Sequence, residues 1–143
     1  MQTSLRRIAL AAILSLAWSA CALADASSKV VYHVDEGLEK AAAALRNVSN
    51  HLEAEPGAKI VVVTHGPGID FLLDGAKDKN GNPFEVMVET LQAKGVEFRV
   101  CNNTLMSRKI DPKKVISQAT IVPSGVAEIG RLQAKEGYVY LKP

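Results

Sequence analysis

The chain has 143 residues, of which 22% are charged and only 5% are aromatic, and its formal net charge is +2. Arg6 and Arg7 account for that excess, so the rest of the chain is close to neutral. A neutral domain with few aromatic side chains gives no electrostatic basis for binding nucleic acid or an anionic membrane surface, and neither partner is expected.

The first 24 residues have the layout of a secretory signal peptide. Two arginines precede a short apolar run at residues 8–18, and small residues follow up to Ala24. The run is shorter than the roughly 20 residues that a bilayer-spanning helix needs, and no later run approaches that length. We therefore expect cleavage before Asp25, export to the periplasm, and a single mature domain over residues 25–143 that is not membrane-bound.

A lipoprotein signal ending at Cys21 is the alternative reading of this segment. Such signals normally have leucine three residues before the cysteine, and here that residue is Trp18. With cleavage before Asp25, the mature domain keeps only Cys101 and cannot form an internal disulfide. A lone thiol in an oxidising compartment is buried and inert, paired with another chain, or reactive.

Strand and helix patterns alternate along the mature chain. Apolar stripes at helical spacing comprise Leu38, Ala42, Leu45, Val48 and Leu52, then Phe84, Met87, Val88 and Leu91, then Val126, Ile129 and Leu132. The predicted strands are at 30–34, 60–63, 96–101, 119–122 and 138–141. Between them we expect a helix capped by Asp35 and ending near Ala54, a helix from Pro67, a helix capped by Asn82 and a helix ending at Gly137. A loop or short helix at 102–108 and a short turn at 111–112 connect the third and fourth strands.

This alternation predicts an α/β fold with three layers, α/β/α, around a mostly parallel five-stranded sheet of the flavodoxin or Rossmann type. In such sheets the ligand crevice lies beyond the carboxyl ends of the strands. The sequence places distinctive residues there, and the candidate ligand-binding residues are His33, His65, Gly66, Asn102, Asn103, Thr104, Ser124 and Gly125.

Cys101 is the candidate catalytic residue. It falls on the strand parity of Glu97 and Arg99, and not on that of Phe98, so its side chain need not enter the main core. Helix N–H groups and cations such as Arg99, Arg108 or Lys109 would favour a nucleophilic thiolate. The alternative is a small buried hydrophobe, which is a frequent role of free cysteine.

No metal or cofactor is expected. His33, His65 and Cys101 could form a three-ligand site, but their spacing matches no compact metal motif. The chain has no G-x-G-x-x-G loop, no Walker sequence and no Gly-x-Ser-x-Gly elbow, so Ser124 is expected to cap a helix.

Three short motifs resemble the DsrE/DsrF-like family over nearly the whole mature chain. They are Thr64-His65-Gly66-Pro67-Gly68, Val100-Cys101-Asn102-Asn103-Thr104-Leu105, and Pro123-Ser124-Gly125-Val126 with Leu132-Gln133, Gly137-Tyr138 and Pro143. The resemblance implies a three-layer domain that assembles into homotrimers or homohexamers. It also implies sulfur relay through a persulfide on the cysteine that follows a central strand, here Cys101.

The leading hypothesis is therefore a periplasmic sulfur carrier, rather than a turnover enzyme, that exchanges sulfane sulfur with a donor or acceptor protein or a small sulfur compound. Two alternatives stay open. One is an oligomeric module that binds a small anion non-covalently without sulfur transfer, and the other is a structural oligomer whose thiol is inert.

Overall fold

The computed structural model describes residues 27–143. The predicted signal peptide, its cleavage before Asp25 and the alternative at Cys21 lie outside these residues. The elements in chain order are β1 (Lys29–Val34), α1 (Leu38–Ala54), β2 (Lys59–Thr64), a first 3₁₀ helix (Gly66–Leu72), α2 (Phe84–Ala93), β3 (Glu97–Cys101), α3 (Asn102–Ser107), a second 3₁₀ helix (Pro112–Lys114), β4 (Ala119–Val122), α4 (Gly125–Glu136) and β5 (Val139–Leu141).

The five strands form one sheet in the order β4-β3-β2-β1-β5. Each neighbouring pair is parallel, and Cys101 at the end of β3 lies beside Val122 at the end of β4. The predicted fold class is confirmed. Because the strands are parallel, their carboxyl ends meet at one edge of the sheet, where the predicted site residues lie.

Helices cover the two faces of the sheet unequally. The larger apolar cluster joins α1, α2 and the first 3₁₀ helix to one face, which includes Val62, Phe98 and Val100. The other face is covered by α4, through Ile129 and Leu132. None of the helices within residues 27–143 is long and apolar enough to cross a bilayer.

Several predicted helix details are wrong. Asp35 does not cap α1, which begins after Gly37, because the Asp35 carboxylate binds Lys142 instead. Asn82 does not cap α2: the cap position is Pro83, and the Asn82 amide donates to Asp78 in the preceding turn.

Three residues predicted to face the core are exposed to solvent instead. The exposed fractions are 36% for Leu38, 37% for Met87 and 65% for Val126. Leu38 and Val126 lie in the first turns of α1 and α4, on the side of each helix that faces solvent. By contrast, Gly137 ends α4 in the left-handed conformation, as predicted.

The packing of β3 predicts a large cost for truncating Phe98, which is fully buried and lies edge-on to Phe71. We expect Phe98→Ala to lower the free energy of unfolding by about 3–5 kcal/mol. Val86→Ala, on the exposed side of α2, should change it by less than about 0.5 kcal/mol. Urea denaturation measures both, and equal losses would contradict this account of the core.

Candidate functional site

Cys101 ends β3 and directly precedes α3, and only 4% of its surface is exposed. Phe98 and Val100 point into the larger apolar cluster, whereas Cys101 is a member of neither cluster. The parity argument made from the sequence is therefore correct. The thiol is buried at the edge of the sheet, against the turns that begin α3 and α4.

Backbone N–H groups and one hydroxyl counteract the effect of burial on the Cys101 thiol. Burial by itself would raise the pKa of the Cys101 thiol, but the backbone N–H of Gly125, the hydroxyl and N–H of Thr104 and the N–H of Asn103 together hold that pKa below its ordinary value. The Thr104 hydroxyl oxygen accepts a hydrogen bond of 2.9 Å from the Gly66 N–H, which leaves its own proton free for the sulfur. The site therefore favours thiolate.

The N-terminus of α4 approaches the sheet so closely that only glycine fits at its first position. A Cβ atom on Gly125 would lie 2.9 Å from the Thr64 carbonyl oxygen, 3.2 Å from the Cys101 Cβ and 3.3 Å from the His65 Cβ. The glycine thus brings its N–H to the thiol and seats α4 against the ends of β2 and β3.

Two of the three cations expected to activate the thiol are engaged elsewhere. Arg99 forms ion pairs with Glu97, at 2.6 Å, and with Glu128 of α4. Arg108 binds the Asp70 carboxylate at 2.6 Å. The groups that lower the pKa of the thiol are backbone N–H groups and the Thr104 hydroxyl.

A second polar cluster lies at the ends of β1 and β2. His33 Nε2 and His65 Nε2 are 2.7 Å apart, and His33 Nδ1 is 2.7 Å from the Tyr140 hydroxyl. Burial lowers the pKa of His33, only partly offset by the nearby Asp35 carboxylate, so the ring is held in its neutral form. The Lys142 ammonium lowers the pKa of Asp35 through a hydrogen bond of 2.9 Å.

The other predicted residues take smaller parts. The Ser124 hydroxyl accepts from the Ala127 N–H at 3.4 Å and caps α4, as predicted. Asn102 opens α3 and is partly exposed, and the Asn103 side chain is exposed to solvent. Their position at the start of α3, more than their side chains, is what relates them to Cys101.

The model of the DsrE/DsrF-like family matches residues 26–143. The chain belongs to this family. Comparison of the sequence with curated proteins gives no match.

Two solved structures resemble this DsrE/DsrF-like chain. MTH1491 from Methanobacterium thermoautotrophicum, a protein of unknown function, is 30% identical, with a TM-score of 0.73 over 82% of this chain and all of that one. The ychN protein from E. coli is 18% identical, with a TM-score of 0.68 over 81% of this chain and 99% of that one. The second likeness supports the fold alone.

Sequence reasoning missed two residues of the second polar cluster, Tyr140 and Lys142. Both come from the end of the chain and reach the carboxyl edge because β5 pairs with β1. The pattern of a strand in the sequence does not reveal its neighbour, so this contact could not be anticipated. The motif residues Cys101, Thr104 and Gly125, by contrast, are brought together at the sulfur.

The hydroxyl of Thr104 is the one side-chain group among those that lower the pKa of Cys101, so its removal is a direct test. We expect Thr104→Val to raise that pKa, because the variant loses the hydroxyl donor and leaves the burial of the sulfur in place. The pH dependence of alkylation by iodoacetamide measures the pKa. Thr90→Val removes a matched hydroxyl, which donates to Val86 within α2, and should leave the profile unchanged. A Thr104→Val profile identical to that of the parent protein would refute the claim that the Thr104 hydroxyl lowers the pKa of Cys101.

Proposed function

We propose that this protein carries sulfane sulfur as a persulfide on Cys101. The observation that carries the proposal is the place of Cys101, a buried thiol between β3 and α3, where neighbouring N–H groups and a hydroxyl lower its pKa. Membership of the DsrE/DsrF-like family is consistent with sulfur relay. The same donors would stabilise the terminal sulfur of a persulfide, which is also anionic.

The proposed step is a simple exchange. The Cys101 thiolate attacks the outer sulfur of a donor persulfide and forms a new S–S bond, while the donor's S–S bond breaks and its inner sulfur leaves as a thiolate. The electron pair of the attacking thiolate enters the new bond, and the pair of the broken bond leaves with the donor. Electrons and atoms therefore balance without any oxidant, and the reverse step loads an acceptor thiolate.

The proposed compartment is the periplasm, because residues 1–24 have the layout of a secretory signal. Donor and acceptor would then be exported proteins or small sulfur compounds. Intact mass of protein purified from the periplasm without reductant tests location and chemistry together. A chain that begins at Asp25 supports export, and an added sulfur supports the carrier. A chain that begins at Met1, or at an acylated Cys21, would disprove cleavage before Asp25.

The mutational test separates mechanism from packing. Incubated with polysulfide, the parent protein should gain sulfur mass and Cys101→Ser should gain none, because a hydroxyl cannot hold a transferable sulfur atom. Cys101 lies outside both apolar clusters, so the serine variant should melt close to the parent and well above Phe98→Ala. Equal sulfur uptake by both proteins, or a melting point as low as that of Phe98→Ala, would show that Cys101 is a packing residue.

The burial of Cys101 favours a second candidate, a structural oligomer with an inert thiol, because reagents reach a thiol that is 4% exposed with difficulty. A third, anion-binding candidate rests on the N–H groups of Asn103, Thr104 and Gly125, each of which lowers the pKa of the Cys101 thiol. Alkylation that occurs only after denaturation would favour the inert thiol. Retention of a bound sulfur oxyanion by Cys101→Ser would favour the anion module.

We also propose that the chain forms a homo-oligomer, a trimer or a hexamer. Two large apolar side chains beside the Cys101 edge are exposed, Met106 in α3 at 63% and Val126 in α4 at 65%. Covering them with another subunit would remove apolar surface from water and would enclose the thiol further.

Light scattering at micromolar concentration measures the assembly. We expect a trimeric or hexameric mass for the parent protein and a smaller mass for Val126→Asp, which places a charge in the proposed contact. Val86→Asp, on the exposed side of α2, is the matched control and should leave the mass unchanged. A monomeric parent protein would contradict the proposal.

A further inference from the structure

Three side chains with metal-binding atoms converge at the ends of β1 and β2. The ligand atoms of His33, Asp35 and His65 all lie within 4.8 Å of one another. Within this group the two histidine Nε2 atoms are 2.7 Å apart, and His33 Nε2 is 3.9 Å from Asp35 Oδ2. These residues form no compact metal motif in the sequence, because His65 follows a different strand from His33 and Asp35 and meets them only where β1 pairs with β2.

These distances suit a tetrahedral ion after a small adjustment. Zinc bonds of about 2.0–2.1 Å place neighbouring ligand atoms about 3.3–3.4 Å apart in a tetrahedron. The distance between the imidazoles is shorter than this edge, and the distance from His33 to Asp35 is longer by a similar amount. The third pair, His65 and Asp35, lies within 4.8 Å. Side-chain rotations that move the ligand atoms by up to about 1 Å would therefore bring all three into range.

The surroundings of His33 orient it as a ligand. The Tyr140 hydroxyl bonds Nδ1 at 2.7 Å and leaves Nε2 directed at His65. A partner on the second ring nitrogen fixes the tautomer and raises ligand basicity at histidines that bind metals. The side chains of His33 and Asp35 are only 12% and 23% exposed, so little rotational freedom is lost on binding.

Positive side chains at this place oppose the binding of a cation. The Lys142 ammonium lies 2.9 Å from both Asp35 oxygens. Glu36 and Lys40 also line the adjoining hollow. An ion must therefore displace Lys142 from the carboxylate, and the removal of Lys142 should strengthen binding.

We propose that His33, Asp35 and His65 form a binding site for a divalent transition-metal ion of the zinc class, with a fourth position left for water or a small ligand. Two imidazoles and one carboxylate are a common ligand set for such ions. The site does not include Cys101 and does not rest on the proposed sulfur chemistry, so either can fail without the other.

Calorimetric titration with Zn²⁺ of the purified protein without a histidine tag tests the site. We expect one ion per chain, a loss of at least about tenfold in affinity for His33→Ala and His65→Ala, and a smaller loss for Tyr140→Phe. Lys142→Met should bind more tightly than the parent. His51→Ala removes a histidine that instead contacts Tyr32 and Glu55 and should leave binding unchanged.

Three outcomes would overturn the proposal. They are the absence of Zn²⁺ binding, binding that either histidine variant leaves intact, and binding that Lys142→Met fails to tighten. If the alanine variants do not fold, Asp35→Asn, which keeps the shape of the side chain, must weaken binding. Bound Co²⁺ should show no sulfur-to-metal charge-transfer band, and such a band, if Cys101→Ser abolished it, would assign the metal to Cys101 and overturn the assigned ligand set.

Discussion

The close approach of Gly125 to the ends of β2 and β3 is the constraint on which the candidate site depends. Because this residue has no side chain, the N-terminus of α4 can lie against the Thr64 carbonyl and deliver an N–H to the Cys101 sulfur. A side chain here would have to move backbone, which is costly in a packed structure. The helix that covers one face of the sheet and the donors that surround the thiol are thus positioned by the same contact.

The thiol experiences two opposing effects. Removal from water disfavours the thiolate, whereas short-range dipoles favour it, and the dipoles prevail because several converge on one atom. These dipoles are backbone N–H groups of two turns and the hydroxyl of Thr104. The Thr104 hydroxyl oxygen in turn accepts a hydrogen bond from the Gly66 N–H. A buried thiol can therefore still be the reactive group.

The carboxyl edge of the sheet holds two chemically distinct clusters that His65 links. Its Cβ lies close to Gly125, beside the cysteine, while its ring reaches the Nε2 atom of His33. A soft sulfur site and a nitrogen and oxygen site thus lie next to each other at the ends of neighbouring strands. If both proposals hold, the second site would place a ligand position beside the sulfur-carrying residue, while the two sets of binding atoms remain separate.

The sequence by itself determined the fold class, the strand positions and the location of Cys101 at a strand end. These follow from apolar periodicity and from the parity of β3, which act over a few residues. The tertiary structure alone decided that Lys142 takes Asp35 from its expected capping role, that Tyr140 reaches His33, and that Arg99 is paired by α4. Such contacts join residues about 30 to 107 positions apart, and they depend on strand order and on the seating of α4, which no local pattern encodes.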